Sequence, residues 1–110
     1  MPPIPPSPVS EEVGIELQRV VKRWRQLPLD RALSQAGHVR ALVQSLADGV
    51  AEASGAASSV VPDLGPATLM DQLTVMVYDA SAAVTSRPQS SRAATSTLAA
   101  VLASLRRELA

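Results

Sequence analysis

His38 is the only histidine in the 110-residue chain, and cysteine is absent. An imidazole that works as a general base needs a buried carboxylate or a nucleophilic serine beside it. On a helix His38 falls on the polar side, opposite the apolar residues around it, so a solvated ring is the simpler reading. The missing thiols exclude disulfides, Cys-ligated zinc, iron–sulfur clusters and thiolate catalysis. No HExxH, ExxH or ExxE pattern sets ligands on one helical face. Asp71 and Asp79 stand about 80° and about 12 Å apart on a helix, too far to chelate one ion unaided. Phosphate-cradling and nucleophile-elbow glycine motifs are absent, and the thirteen serines fall mostly in caps and loops. The sequence therefore nominates no catalytic, metal or cofactor residue, and it leans away from an enzyme.

Charge is the next source of chemistry. Ten basic and ten acidic residues cancel, but they are segregated. From Ala41 to Ser86 there is no Lys or Arg, while Asp48, Glu52, Asp63, Asp71 and Asp79 give that stretch a charge of −5. The simpler reading is that an acidic middle neutralises its basic flanks when they pack together; the other is two faces of opposite sign for a partner. Arg19, Lys22, Arg23, Arg25 and Arg31 crowd the end of the first helix and the following turn, a candidate patch for an anion or an acidic partner. They spread over several helical faces rather than forming a compact anion site, so a solvated helix end is the simpler reading. Glu16 and Arg19 are spaced for an ion pair worth a few tenths of a kcal/mol. Nine of the ten basic residues are Arg in an Ala-rich chain, so the Arg content reads as codon bias rather than selection for bidentate recognition.

These residues must be positioned by helices. Val9, Val13, Leu17, Val20, Trp24 and Leu27 fall on one stripe, which predicts a helix over about 8–26, capped by Ser7 or Ser10 and ended before Pro28. Trp24, in mid-stripe, reads as a core anchor. A second helix is expected over 30–53, with Asp30 as N-cap and a stripe of Leu29, Ala32, Ala36, Val39, Val43, Leu46, Ala47 and Val50. Gly37 and Gly49 interrupt it, either for a close neighbour or at a kink. Residues 54–65 form the one real loop. A third helix over 66–85 opens at Pro66 and carries Leu69, Leu73, Met76, Val77, Ala80 and Val84. Its stretch 73–78 is β-branched enough for a strand, but the Ala-rich continuation and the lack of a partner strand favour helix. After a break at Arg87-Pro88-Gln89, a fourth helix over 90–109 carries Ala94, Leu98, Val101, Leu102, Leu105 and Leu109. The expected fold is an all-α, antiparallel four-helix bundle built from two helical hairpins, a single domain over 9–110 behind a Pro-rich tail at 1–8.

The third helix is apolar on two sides. Val75, Tyr78 and Ala82, with Asp71 and Thr74 beside them, lie opposite its core stripe. Either that helix is central and buried all round, or Asp71, Thr74, Val75, Tyr78 and Ala82 form an interaction face.

The N-terminus has no basic n-region or apolar h-region, and no run reaches the ~20 apolar residues of a membrane span, so a cytoplasmic protein without a membrane partner is expected. Zero net charge and two aromatic residues argue against nucleic acid. The sequence does not name a function by itself. The leading expectation is a non-catalytic helical module for protein interaction or assembly, with a homodimer as one form. The alternative is a small-ligand-binding regulator with a pocket between the hairpins, lined by Trp24, Met70, Met76 and the 54–65 loop. A bundle enzyme using Arg and carboxylates comes last.

Overall fold

A computed structural model describes residues 7–86 and 91–110 of the chain. They form four helices, α1 (Glu11–Gln26), α2 (Leu29–Ser54), α3 (Leu69–Thr85) and α4 (Ser91–Glu108), with one 3-10 turn at Pro66–Thr68 ahead of α3. The fold is the expected all-α four-helix bundle, and residues 73–78 are helical. Residues 1–6 of the Pro-rich tail and the Arg87-Pro88-Gln89 break lie outside the described residues.

Local chemistry sets the helix ends. Ser10, not Ser7, is the cap of α1: its Oγ accepts the Val13 N–H at 3.2 Å. Glu11 and Glu12 occupy the first turn and Arg23 and Arg25 the last, matching the helix dipole. Leu27 is extended (ψ 139°), as a residue before proline prefers. The expectation that Asp30 caps α2 is corrected. Pro28 takes the cap position with no side-chain bond, and Asp30 sits inside the first turn. At the other end Gly55 adopts φ +73°, and Ala56 N–H reaches Ala51 O at 2.9 Å while Gly55 N–H reaches Glu52 O at 3.1 Å. This pair of bonds stops α2 and turns the chain outward.

The chain then runs back along α2. Gln44 Nε2 donates to Ser59 O at 2.9 Å, and Gln44 Oε1 accepts the Val61 N–H at 2.7 Å. Arg40 pairs with Asp63 at 3.5 Å, and Gln72 Nε2 donates to Pro62 O at 3.0 Å. The start of α3 therefore lies beside Val43, in the middle of α2. Ala80, Ala83 and Val84, near the end of α3, border Leu46, Gly49 and Val50 of α2 and Ala94 of α4. α2 and α3 thus run in the same sense, and α4 returns against both. Glu16 meets Arg106, Arg23 meets Leu109 and His38 meets Glu108, which set the last turns of α4 beside α1 and the first part of α2. The two antiparallel hairpins, α1–α2 and α3–α4, face each other with α2 on α3 and α1 on α4 as the closest pairs.

The core is almost wholly aliphatic. Val13, Val20, Val39, Val43, Leu69, Leu73, Val77, Leu102 and Leu109 are essentially fully buried, and Trp24, Leu17 and Met76 pack against them from partly buried positions. Burial of each such side chain contributes about 1.5–3 kcal/mol. Two expected core positions are corrected. Leu29 is 72% exposed, because α3 only comes alongside α2 near Val43 and leaves the first turn uncovered. Val101 is exposed, because it faces the gap between α2 and α4 rather than α1. Met70 and Ser81 are buried although they lie off the expected stripe.

Neither interrupting glycine of α2 serves a close approach: a Cβ built on Gly37 or Gly49 meets nothing within 4 Å. Gly37→Ala is expected to raise the melting temperature by roughly 2–6 °C, from a helix-propensity gain of about 1 kcal/mol. A fall in thermal denaturation followed by circular dichroism would contradict the open surroundings. Gln44→Ala should leave the Val61 N–H without its partner, cost about 1–3 kcal/mol, and speed hydrogen exchange at Val61 before exchange in the core of α2.

Candidate functional site

α3 packs against α2, α4 and α1, yet one side of it stays open. Val75 and Tyr78 are 53% and 51% exposed, Asp71 and Thr74 are exposed, and Ala82 is half-buried. The α3 face read from the sequence is therefore surface, not a fourth buried side. Tyr78 follows Val75 by one helical turn, so their side chains adjoin. On its α2 flank Val75 borders a groove of about 350 Å³, together with Val61, Leu64 and Met76. Leu64 in that groove is 61% exposed. The apolar surface thus continues from the crest of α3 onto the 55–65 connector. On the other flank Thr74 shares a cleft of about 440 Å³ with Leu17, Val21, Lys22 and Arg25 of α1. Asp71 sits at the foot of the crest, with no ion pair among the described residues.

The basic patch is only partly assembled. Arg19, Lys22 and Arg23 share a cleft of about 530 Å³ with Arg106 and Arg107 from α4. Arg25 faces the neighbouring cleft beside Thr74, and Arg31 donates to Ala110 O at 3.0 Å. Sequence reasoning missed Arg106 and Arg107. They lie more than eighty residues from Arg23, and only the α1–α4 pairing brings them in. Most of these cations already have work. Arg19 Nη1 and Arg106 Nε hold the two oxygens of Glu16 at 2.8 and 3.2 Å, and Arg23 Nε donates to Leu109 O at 3.0 Å. The cluster fastens the end of α4 onto α1 and α2, where cations also suit the negative end of the helix dipole. Lys22, Arg25 and Arg107 carry no such bond among the described residues.

His38 does have a carboxylate beside it: its Nε2 meets Glu108 across the α2–α4 gap. Both side chains are about half exposed, so the pair is a solvated link rather than a desolvated acid–base couple. No three His, Asp or Glu side chains come together among the described residues in a way that could hold a metal. No described helix is long and apolar enough to cross a membrane.

The residues expected to line a small-ligand pocket are divided between the core and a surface groove. Met76 and the connector do line the groove beside Val75, but Met70 is buried in the core and Trp24 packs on it. A separate cleft of about 270 Å³ lies between α2, α3 and the start of α4, walled by Leu46, Gly49, Ala80, Ala83 and Ala94. No family model, no curated protein and no solved structure matches this chain, so its sites are read from its own residues.

Glu16 is the joint on which Arg19 and Arg106 converge, and its side chain is only 15% exposed. Glu16→Gln removes both ion pairs together, so a loss of about 1 kcal/mol is expected, partly masked by salt. Urea denaturation at low and high ionic strength measures it. An unchanged midpoint at low salt would show that the α1–α4 seam does not rely on this carboxylate.

Proposed function

We propose that this protein is a non-catalytic helical module that binds protein through the outer face of α3, formed by Asp71, Thr74, Val75, Tyr78 and Ala82. The observation that carries the reading is the exposure of Val75 and Tyr78 on a helix that already contacts three others. Isolated exposed aliphatics such as Ile15 are ordinary. Here the exposed groups adjoin and continue onto Leu64, and contiguous apolar surface of this kind marks binding sites. A tyrosine at the centre suits an interface, since it offers a large rigid apolar area and a polar tip.

The partner is another protein or a second copy of this chain. Nucleic acid fits poorly, because the chain has zero net charge and only two aromatic residues. The reading takes the protein to work in the cytoplasm. A second reading, a small apolar ligand, is favoured by the Ala-walled cleft between α2, α3 and α4.

The test compares the wild-type chain with a Val75→Glu/Tyr78→Glu variant in pull-downs from native lysate, with folding checked by circular dichroism. Both side chains are half exposed, so the variant should keep its helical signal and lose a partner that the wild type recovers. A folded variant that keeps the partner sinks the proposal, and an unfolded one shows that this face is core. If neither form recovers a partner, the small-ligand reading takes precedence and a thermal-shift screen of metabolites follows.

A further inference from the structure

The segregated charges do not cancel when the chain folds. Of the five acids between Ala41 and Ser86, only Asp63 makes an ion pair among the described residues, with Arg40. Asp48, Glu52, Asp71 and Asp79 make none. On the basic side Lys22 and Arg25 are also unpaired. Yet these opposite charges flank one crest. Lys22 and Arg25 line the same cleft as Thr74, and Asp71, one turn before Thr74 on α3, borders the groove on the α2 side of that crest. The floor of that cleft is apolar, with Leu17 and Val21. A cationic strip on α1 and an acidic, apolar-crested strip on α3 thus run side by side with a cleft between them.

We propose that a second copy of this chain covers this surface about a two-fold axis. The proposal rests on the reading of α3 as a binding face and names its occupant. A two-fold rotation exchanges two adjacent strips. It sets Lys22 and Arg25 of one copy against the acidic crest of the other, and the reverse contact follows by symmetry. The crest carrying Val75 and Tyr78 enters the partner's α1–α3 cleft as a ridge enters a groove, onto Leu17 and Val21. Crest-on-crest docking of two α3 helices is disfavoured, since it would bring Asp71 and Asp79 toward the same acids of the other copy. Zero net charge removes the overall repulsion that keeps many proteins apart. A foreign partner would need both a basic strip and an apolar crest in this register, whereas a second copy has them already.

The experiment measures mass by size-exclusion chromatography with light scattering over a range of micromolar concentrations. It uses the wild type, Asp71→Lys, Lys22→Glu, the Asp71→Lys/Lys22→Glu double variant and Val75→Glu/Tyr78→Glu. The wild type should run at twice 11.5 kDa. Each single reversal acts at two symmetric contacts and should raise the dissociation constant roughly tenfold or more. The double variant restores opposite charges across the axis and should recover the dimer. Circular dichroism checks each fold, and a reversal that does not fold is replaced by Asp71→Asn or Lys22→Gln. A wild type that stays monomeric overturns the proposal, as do single reversals without effect or a double variant without recovery. A monomeric wild type that still loses a lysate partner on Val75→Glu/Tyr78→Glu overturns the second copy and leaves the binding face standing. A dimer indifferent to that variant removes both.

Discussion

Gln44 holds the connector with both ends of its side-chain amide, accepting from Val61 N–H and donating to Ser59 O. Much of the architecture depends on that grip. The connector is poor in buried apolar groups: Val60 and Leu64 are exposed and only Val61 is half-buried. Polar contacts from Gln44, Arg40 and Gln72 therefore decide where it lies. Six extended residues from Gly55 cover up to about 20 Å, enough to retrace the roughly 15 Å of helix between Gln44 and Ser54. Returned to the middle of α2, the chain must start α3 beside Val43 and run it the same way as α2. α4 then comes back beside α1. The open crest of α3 is a consequence: with α2, α4 and α1 all on its inner side, no element among the described residues remains to cover Val75 and Tyr78.

The second constraint is the material of the core. With no Phe and a single Trp, the interior is built mainly from Val, Leu and Ala. Ala lets helices approach closely but fills little space, and the cleft walled by Gly49, Ala80, Ala83 and Ala94 is the result. A domain of this length has a folding free energy of only about 5–15 kcal/mol. A partner that binds the folded form adds to it by mass action. An exposed apolar crest on a modest aliphatic core is therefore a coupling point, because whatever covers the crest also stabilises the bundle beneath it.

Helix periodicity was legible in the residues. The stripe of Val13, Leu17, Val20 and Trp24 is the buried or half-buried face of α1, and the stripe of Leu69, Leu73 and Val77 is that of α3. These patterns are local, and 3.6-residue spacing carries them. The second apolar side of α3 was equally visible, and its exposure is what the fold adds. Which helix lies on which was not legible. That depends on Gln44 meeting Val61 and Glu16 meeting Arg106, contacts spanning 17 and 90 residues that leave no mark on any local pattern. Asp30 was misplaced for a local reason: its type suits a cap, but Pro28 already ends the turn with the dihedral that starts a helix. Arg106 and Arg107 were missed because their helix-end position explains them without reference to α1.

The electrostatics follow from the same pairing. The end of α4 leaves carbonyl groups without helical partners, and cations from other elements satisfy them: Arg23 on Leu109 O and Arg31 on Ala110 O. Arg19 and Arg106 are committed to Glu16. The chain thus uses most of its basic cluster to close one end of the bundle. The acids of α2 and α3 lie on elements that carry no cation after Arg40, so packing α2 on α3 supplies no opposite charge to Asp48, Glu52, Asp71 or Asp79. Among the described residues Lys22 and Arg25 are the bases that line the α1–α3 cleft, and neither pairs with Asp71. A molecule with no net charge therefore keeps a local dipole across one apolar-floored cleft. Such a field orients an approaching partner more than it attracts one, and the register it selects is the one that places opposite strips in contact while the apolar crest fills the cleft.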